Sequence, residues 1–316
     1  MVLEYDISPD HHWFRRPGRL AVWTAMFALV AIGLPGFIPG CDTAGMVDKG
    51  GDDDGEDLTD PGAPPVPEGD WYRPAVDTTW QWQLQPMTDG GQINTSYDVD
   101  VYDIDLFDVP DAVFDELHAA GRKVICYFSA GSYESFRDDA SEFEPADLGK
   151  SLEGYIHERW LDVRSDNVRR IMLARLDHAM ARGCDGVEPD NVDGYANDTG
   201  LPLTADDQLA YNRFIAAEAH NRGLAVGLKN DLDQIPELVD YFDFAVNEQC
   251  HEYDECDALQ PFIDAGKPVF NAEYQTRFVN NPISRADLCA DSQVRHLRTL
   301  VLPLDLDDSF RYSCER

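Results

Sequence analysis

Between Cys184 and Asp193 the chain reads Cys-Asp-Gly-Val-Glu-Pro-Asp-Asn-Val-Asp, so four carboxylates (Asp185, Glu188, Asp190 and Asp193) fall within nine residues. The apolar step Gly186-Val187 leads into Glu188. Pro189 cannot donate to a ladder, so the segment reads as a strand ending in an acid-rich loop. Carboxylates held this close repel one another, and at least one is expected to keep its proton above the usual carboxylate range. A protonated acid beside an ionised one is the raw material of acid/base catalysis. An acidic turn or a cation site would use the same residue types, so the surrounding elements must decide.

From Trp71 onward the texture is that of one domain of about 245 residues, near the size typical of a (β/α)8 barrel. Short apolar runs predict strands at Trp80–Leu84, Val99–Ile104, Val124–Phe128, Gly186–Glu188, Leu224–Leu228, Phe244–Asn247, Pro268–Ala272 and Thr299–Leu302. Helices are predicted between them. Asp111–Ala120 lies between Pro110 and Gly121, which are start and stop signals. In Asp166–Arg182, Val168, Ile171, Met172, Arg175, Leu176 and Ala179 recur at three-and-four spacing before Gly183. Thr204–Asn221 opens with Thr204 and Asp207 in capping-box spacing and closes at Gly223. Leu232–Tyr241 and Cys256–Ala265 are shorter. Strands apolar throughout and alternating with helices predict a parallel sheet buried on both faces. Eight of them favour an α/β, (β/α)8 TIM-type barrel over a doubly wound sheet, and no Gly-rich phosphate loop supports a nucleotide-binding fold.

A barrel gathers the C-terminal ends of its strands into one mouth. Those ends carry Gln85; Asp103 and Asp105; Ser129, Tyr133 and Glu134; Glu188 and Asp190; Lys229 and Asn230; Asn247 and Glu248; Glu273 and Tyr274. Singly, each has a structural use: Asp103 and Asp105 can cap a helix, Lys229 can pair with Glu188 or Asp190, and Glu273 can neutralise a buried cation. Together at one rim they point to a carbohydrate site. Two carboxylates about 5 Å apart suit retaining glycoside hydrolysis, and a wider gap suits inversion. The aromatics Trp82, Tyr127, Phe128, Tyr133, Tyr195 and Tyr274 can stack on sugars or, for Trp82 and Phe128, fill the core. The chemistry requires neither metal nor cofactor.

The formal charge of -35, from 60 acidic and 25 basic residues, excludes nucleic acid and anionic membrane as binding surfaces and suits cationic partners or a salt-adapted exterior. Arg15, Arg16 and Arg19 precede the apolar run Leu20–Ile38, so residues 1–40 read as a signal peptide or membrane-targeting segment. Ile38-Pro39-Gly40-Cys41 partly resembles a bacterial lipobox, which makes Cys41 a lipidation candidate. Residues 41–70, acidic and then Pro-rich, read as a disordered linker, and 71–316 as the catalytic domain of a monomer. Export, with membrane contact only through that N-terminal lipid or anchor, implies oxidised cysteines. Sequence proximity pairs Cys250 with Cys256 and Cys289 with Cys314. That leaves Cys126 with Cys184, on neighbouring strands, as a third pair or as two buried thiols.

Several segments resemble glycoside hydrolase family 114. They are Val124–Glu134 (VICYFSAGSYE), Arg175-Leu176-Asp177 with Gly183–Tyr195 (GCDGVEPDNVDGY), Gly227–Asp231 (GLKND) and Phe244–Cys250 (FAVNEQC). The resemblance runs from about Trp80 to Tyr274. It implies a (β/α)8 endo-α-1,4-polygalactosaminidase acting on galactosaminogalactan-type polymers, with the family's catalytic acids matching Asp190 and Glu248. On that reading Asp190 is the nucleophile and Glu248 the acid/base. Asp103, Tyr127, Glu188, Lys229, Asn230, Asn247 and Glu273 bind sugar hydroxyls or amines. The partner is a cationic amino-sugar polysaccharide, which an acidic mouth attracts. The alternative is a surface protein that holds such a polymer without cutting it.

Overall fold

The barrel is built from short runs of β-branched, aromatic and small residues, each ended by a polar residue. The structure, a computed structural model, describes residues 69–86 and 91–315. The targeting segment 1–40, Cys41 and nearly all of the 41–70 linker lie outside the described residues.

Strands β1 (Trp80–Gln83), β2 (Val101–Asp105) and β3 (Lys123–Ser129) pair in parallel. An antiparallel insert follows: β4 (Ser132–Glu134), β5 (Leu148–Leu152) and β6 (Tyr155–Leu161), with β6 in the middle. The parallel series resumes through β7 (Gly186–Asp190), β8 (Ala225–Lys229), β9 (Phe244–Glu248), β10 (Val269–Glu273) and β11 (Arg298–Val301), and β12 (Tyr312–Ser313) runs antiparallel beside β11. All eight predicted parallel strands are present. The insert was not foreseen.

The helices are α1 (Asp111–Ala119), α2 (Asp166–Arg182), α3 (Ala205–Asn221), α4 (Ile235–Leu238), α5 (Cys250–Tyr253), α6 (Gln260–Asp264), α7 (Thr276–Asn280) and α8 (Pro282–Val294). Helix α2 begins where Ser165 accepts from the Asn167 and Val168 N–H groups and ends at Gly183, φ 80°. In α3, Thr204 and Asp207 form the expected reciprocal box. The predicted helices at 232–241 and 256–265 shrink to tight turns followed by α4 and α6. Helix α8 went unpredicted although Asn281 caps it and Pro282 occupies its first turn.

Strand alternation sorts side chains into two layers. Trp80, Trp82, Ile125, Ala225, Phe244, Val246, Phe270, Ala272 and Leu300 fill the interior. Val124, Cys126, Phe128, Val187, Val226, Leu228 and Ala245 join the layer beneath the helices. Gly227 leaves room for an interior ring, since a Cβ there would lie 2.2 Å from the Phe244 ring.

The C-terminal segment lies against the free side of β1. Leu84 and Gln85 donate their N–H groups to the Leu306 carbonyl, and the Arg311 guanidinium donates to the Trp80 carbonyl. Disulfide Cys289–Cys314 fastens this segment. Cys126–Cys184 joins β3 to the approach of β7, and Cys250–Cys256 closes one loop. At the opposite end from the mouth, Trp71 stacks on His220 at 4.1 Å and donates to Asp243 at 2.9 Å, which pins the start of the domain.

Candidate active site

Alternation along β7 and β8 turns Glu188, Asp190 and Lys229 toward the barrel axis, because they share parity with interior Ala225. Parallel register sets Tyr127 beside Glu188 and Ser129 beside Asp190. The Lys229 ammonium lies 3.1 Å from Glu188 Oε1, 3.1 Å from Asp190 Oδ1 and 3.4 Å from Glu248 Oε2, and 4.8 Å above the Trp82 ring. The two outer oxygens are therefore separated by at most the sum of two of those lengths, about 6.5 Å. Asp190 and Glu248 keep 19% and 26% of their side-chain surface exposed, whereas Glu188 keeps none, so a substrate can reach the first two and not the third.

Each exposed acid is held by donors. Asp190 accepts from Tyr127 Oη at 3.1 Å, the Asn191 N–H at 2.7 Å, Asn191 Nδ2 at 3.3 Å and Lys229 Nζ at 3.1 Å. Four donors fix the position of the carboxylate. Glu248 accepts from Tyr274 Oη at 2.6 Å and Asn230 Nδ2 at 3.3 Å. The residues directly after the three site strands, Asn191, Asn230 and Gln249, all have positive φ (61°, 50° and 63°). Such strain collects where a loop must leave a strand end sharply to place a side chain. Gly131 completes the placement. Its N–H donates to the Asp190 carbonyl, and a Cβ there would lie 1.7 Å from the Asn191 carbonyl oxygen.

Beneath the mouth, burial and then the charge of Glu188 push the Asp103 carboxyl well above its usual range, so it stays protonated toward Glu188. Burial raises Glu188 to about 7 even though Lys229 opposes it. Burial alone would lower Lys229, but the charges of Asp190, Glu188 and Glu248 outweigh it and keep the ammonium protonated. Asp103 and Glu188 thus support Lys229 from below, with no surface of their own for substrate.

Asn247 and Glu273 depart from expectation. They have the parity of Ala245 and Val269 and lie on the outer face of the sheet. Asn247 donates to Asn230 Oδ1, and Glu273 accepts the His251 N–H, so both shape the loops after Lys229 and Glu248. Asp105 and Glu134 pair with buried Arg137, and Tyr133 packs edge-on to Phe143. Asp185 accepts from Lys123 and the Val124 N–H, a role at the base of the strand.

Two residues at the mouth escaped the sequence reading, and both lie on β6. Burial and then the charges of Glu248, Glu158 and Asp190 push the Tyr155 phenol up, which places its ring among the site's acids. Burial and then Glu134 raise Glu158 to about 8, with Asp190 adding to the effect. Tyr155–Leu161 (YIHERWL), after Gly154 (φ 84°), does not alternate apolar and polar residues, so no local pattern marks them.

A sequence model described as glycoside-hydrolase family GH114 matches residues 62–316. This chain belongs to family GH114. Among solved structures, Aspergillus fumigatus Ega3 in complex with galactosamine is 42% identical at a TM-score of 0.73, covering 78% of this chain and 99% of that one. The glycoside hydrolase domain of PelA from Pseudomonas aeruginosa is 14% identical at a TM-score of 0.55, covering 75% and 98%, and supports the fold alone. No match was found among curated proteins. The GH114 match spans all eight parallel strands and therefore the whole mouth described above.

Proposed function

We propose that this GH114 glycoside hydrolase cuts within α-1,4-linked galactosamine polymers by a retaining, two-carboxylate mechanism. Asp190 attacks the anomeric carbon as Glu248 protonates the departing glycosidic oxygen. Glu248 then takes a proton from the water that releases the sugar from Asp190. The observation that carries this reading is the shared ammonium of Lys229, which limits the gap between the nearest Asp190 and Glu248 oxygens to about 6.5 Å. That bound admits the separation of about 5–5.5 Å between carboxyl groups that marks retaining enzymes. Asp190, held in place by four donors, is assigned as the nucleophile, and Glu248, with one oxygen on the Tyr274 phenol, as the acid/base.

The substrate class is supported by family membership, by the galactosamine-bound relative, and by an acidic mouth in a chain of charge -35. Tyr127, Asn230, Tyr155 and Tyr274 line the approach to the two acids. Export belongs to the same reading, supported by three disulfides and the apolar run Leu20–Ile38. Mass analysis of the mature N-terminus separates lipidation at Cys41 from simple cleavage. Product analysis tests the function. Deacetylated galactosaminogalactan should be shortened to oligomers, and fully acetylated polymer cut more slowly. Equal cutting of both would refute the charge-based choice of substrate, and binding without new reducing ends would favour a holding protein.

A further inference from the structure

The polar side chains behind Asp190 form one connected path whose direction can be worked out atom by atom. Ser129 Oγ receives the Ser132 backbone N–H at 3.0 Å and Asn191 Nδ2 at 3.0 Å. A hydroxyl oxygen has two lone pairs, and these two donors occupy both. Across the 2.6 Å contact with Ser132 Oγ, Ser129 must therefore be the donor. Ser132 in turn gives its proton to Glu158 Oε2 at 2.7 Å. At the other end Asn191 Nδ2 also faces Asp190 Oδ2 at 3.3 Å, and a carboxylate only accepts, so the amide can face it only with its nitrogen. Donation runs from Asn191 to Ser129, to Ser132, to Glu158.

The path links two elements that the chain separates widely. Glu158 stands on the insert strand β6, and Asp190 ends β7. Glu158 is half-buried and, among the described residues, has no ion pair. The nearby Arg137 is committed to Asp105, Asp108 and Glu134. An acid beside such a cation would ordinarily pair with it, whereas this one is spent on a serine hydroxyl. Asn191, at φ 61°, needs a partner to hold its amide against backbone strain, and the path supplies one.

We propose that Glu158 is a positioning residue for Asp190: its carboxyl is the terminal acceptor of the donation that runs through Ser129 and Ser132, and by anchoring Ser132 it holds the Asn191 amide against the nucleophile. The proposal rests on the reading of Asp190 as the attacking group. The charges facing Glu158 are Glu134 from β4, Arg137 from the turn after it and Asp190 from β7. With its pKa raised to about 8, Glu158 carries a proton at neutral pH on the oxygen turned away from Ser132. Glutamine is the isostere of that form and keeps an acceptor for Ser132.

The test compares the full-length wild type with Glu158→Gln, Glu158→Leu and Ser132→Ala, using initial rates of reducing-end release from an α-1,4-galactosamine oligomer, with thermal melting as a control for folding. Ser132→Ala and Glu158→Leu should each lower kcat about tenfold or more at unchanged KM, because a small misplacement of a reacting group costs rate rather than binding. Glu158→Gln should retain kcat within about twofold. A Ser132→Ala enzyme with wild-type kcat overturns the proposal, and so does Glu158→Gln falling as far as Glu158→Leu. If Glu158→Leu does not fold, Ser132→Ala, which leaves the carboxyl in place, decides alone. Wild-type turnover with unaffected variants removes the relay and leaves the function standing. A wild type inactive on the oligomer removes both.

Discussion

Replacing Lys229 with methionine removes the ammonium that touches Glu188, Asp190 and Glu248 at 3.1, 3.1 and 3.4 Å. The methionine keeps most of the packing against Trp82 and supplies no charge. Lys229 is 3% exposed, so water cannot replace it. Deleting one partner of a buried ion pair costs about 3–5 kcal/mol, because the remaining charge is stranded. In a domain of this size each kcal/mol shifts the melting temperature by about 2–4 °C, so a loss of roughly 6–20 °C is expected near neutral pH. The sign of the pH dependence follows from the same groups. Without the cation, the carboxyls bind protons more tightly in the folded state than in the unfolded chain. The penalty is therefore smallest in acid and grows as pH rises through about 5 to 8. Differential scanning calorimetry of both proteins at pH 5 and pH 8 makes the measurement. A variant that melts within 2 °C of wild type at both pH values would show that Lys229 does not hold the acids together, and the geometric argument for their closeness would fail with it.

The buried acids make a broader pH prediction. Burial, with neighbouring charges, raises Asp193 to about 6, Glu188 and Glu273 to about 7, Glu158 to about 8 and Asp231 to about 9. Each contributes stability that is full below its unfolded pKa near 4 and lost as pH climbs through its folded value. Stability, and with it the melting temperature, should therefore fall from about pH 4 to pH 9, most steeply at about pH 4–6 where all five groups contribute, by up to about 1.4 kcal/mol of stability per pH unit for each group still below its folded value. Opposing this below pH 4, hydrogen bonds hold Asp100, Asp147 and Asp162 low, and their stabilisation is lost in acid. A melting temperature independent of pH across 4–9 would contradict the burial. Converting Cys289 and Cys314 to serine should cost about 3 kcal/mol, given the 25-residue separation, and free the C-terminal segment to proteolysis; an unchanged proteolytic pattern would count against that segment sealing the barrel. Gly131→Ala should lower both stability and kcat, because its methyl meets the Asn191 carbonyl, and a normally active variant would mean that loop is free to move.

Much of this was legible in the sequence because local rules and tertiary structure agree. The eight strand runs, the caps at Thr204 and Gly183, and the clustering of polar residues at strand ends follow from periodicity and from barrel geometry. Parity is where the reading of strand ends went astray. Listing Glu273 and Asn247 beside Glu248 ignored that neighbours on a strand face opposite ways, and the structure puts them on the outer face, where they hold loops. The insert was missed for another reason. Its strands sit between β3 and β7, outside the regular alternation, and nothing local says that Tyr155 and Glu158 reach back to the mouth. The double duty of Lys229 was also only half visible, since its pairing with Glu188 or Asp190 could be inferred and its reach to Glu248 could not.

The central claim is that Asp190 and Glu248 together break the glycosidic bond. Its most direct test is reducing-end release from deacetylated α-1,4-galactosamine polymer by wild type, Asp190→Asn and Glu248→Gln, each confirmed folded by its melting curve. The account predicts a steady rise of ends and shortening of chains with the wild type, and a loss of at least about 1,000-fold in each variant. Either variant working at the wild-type rate would contradict it.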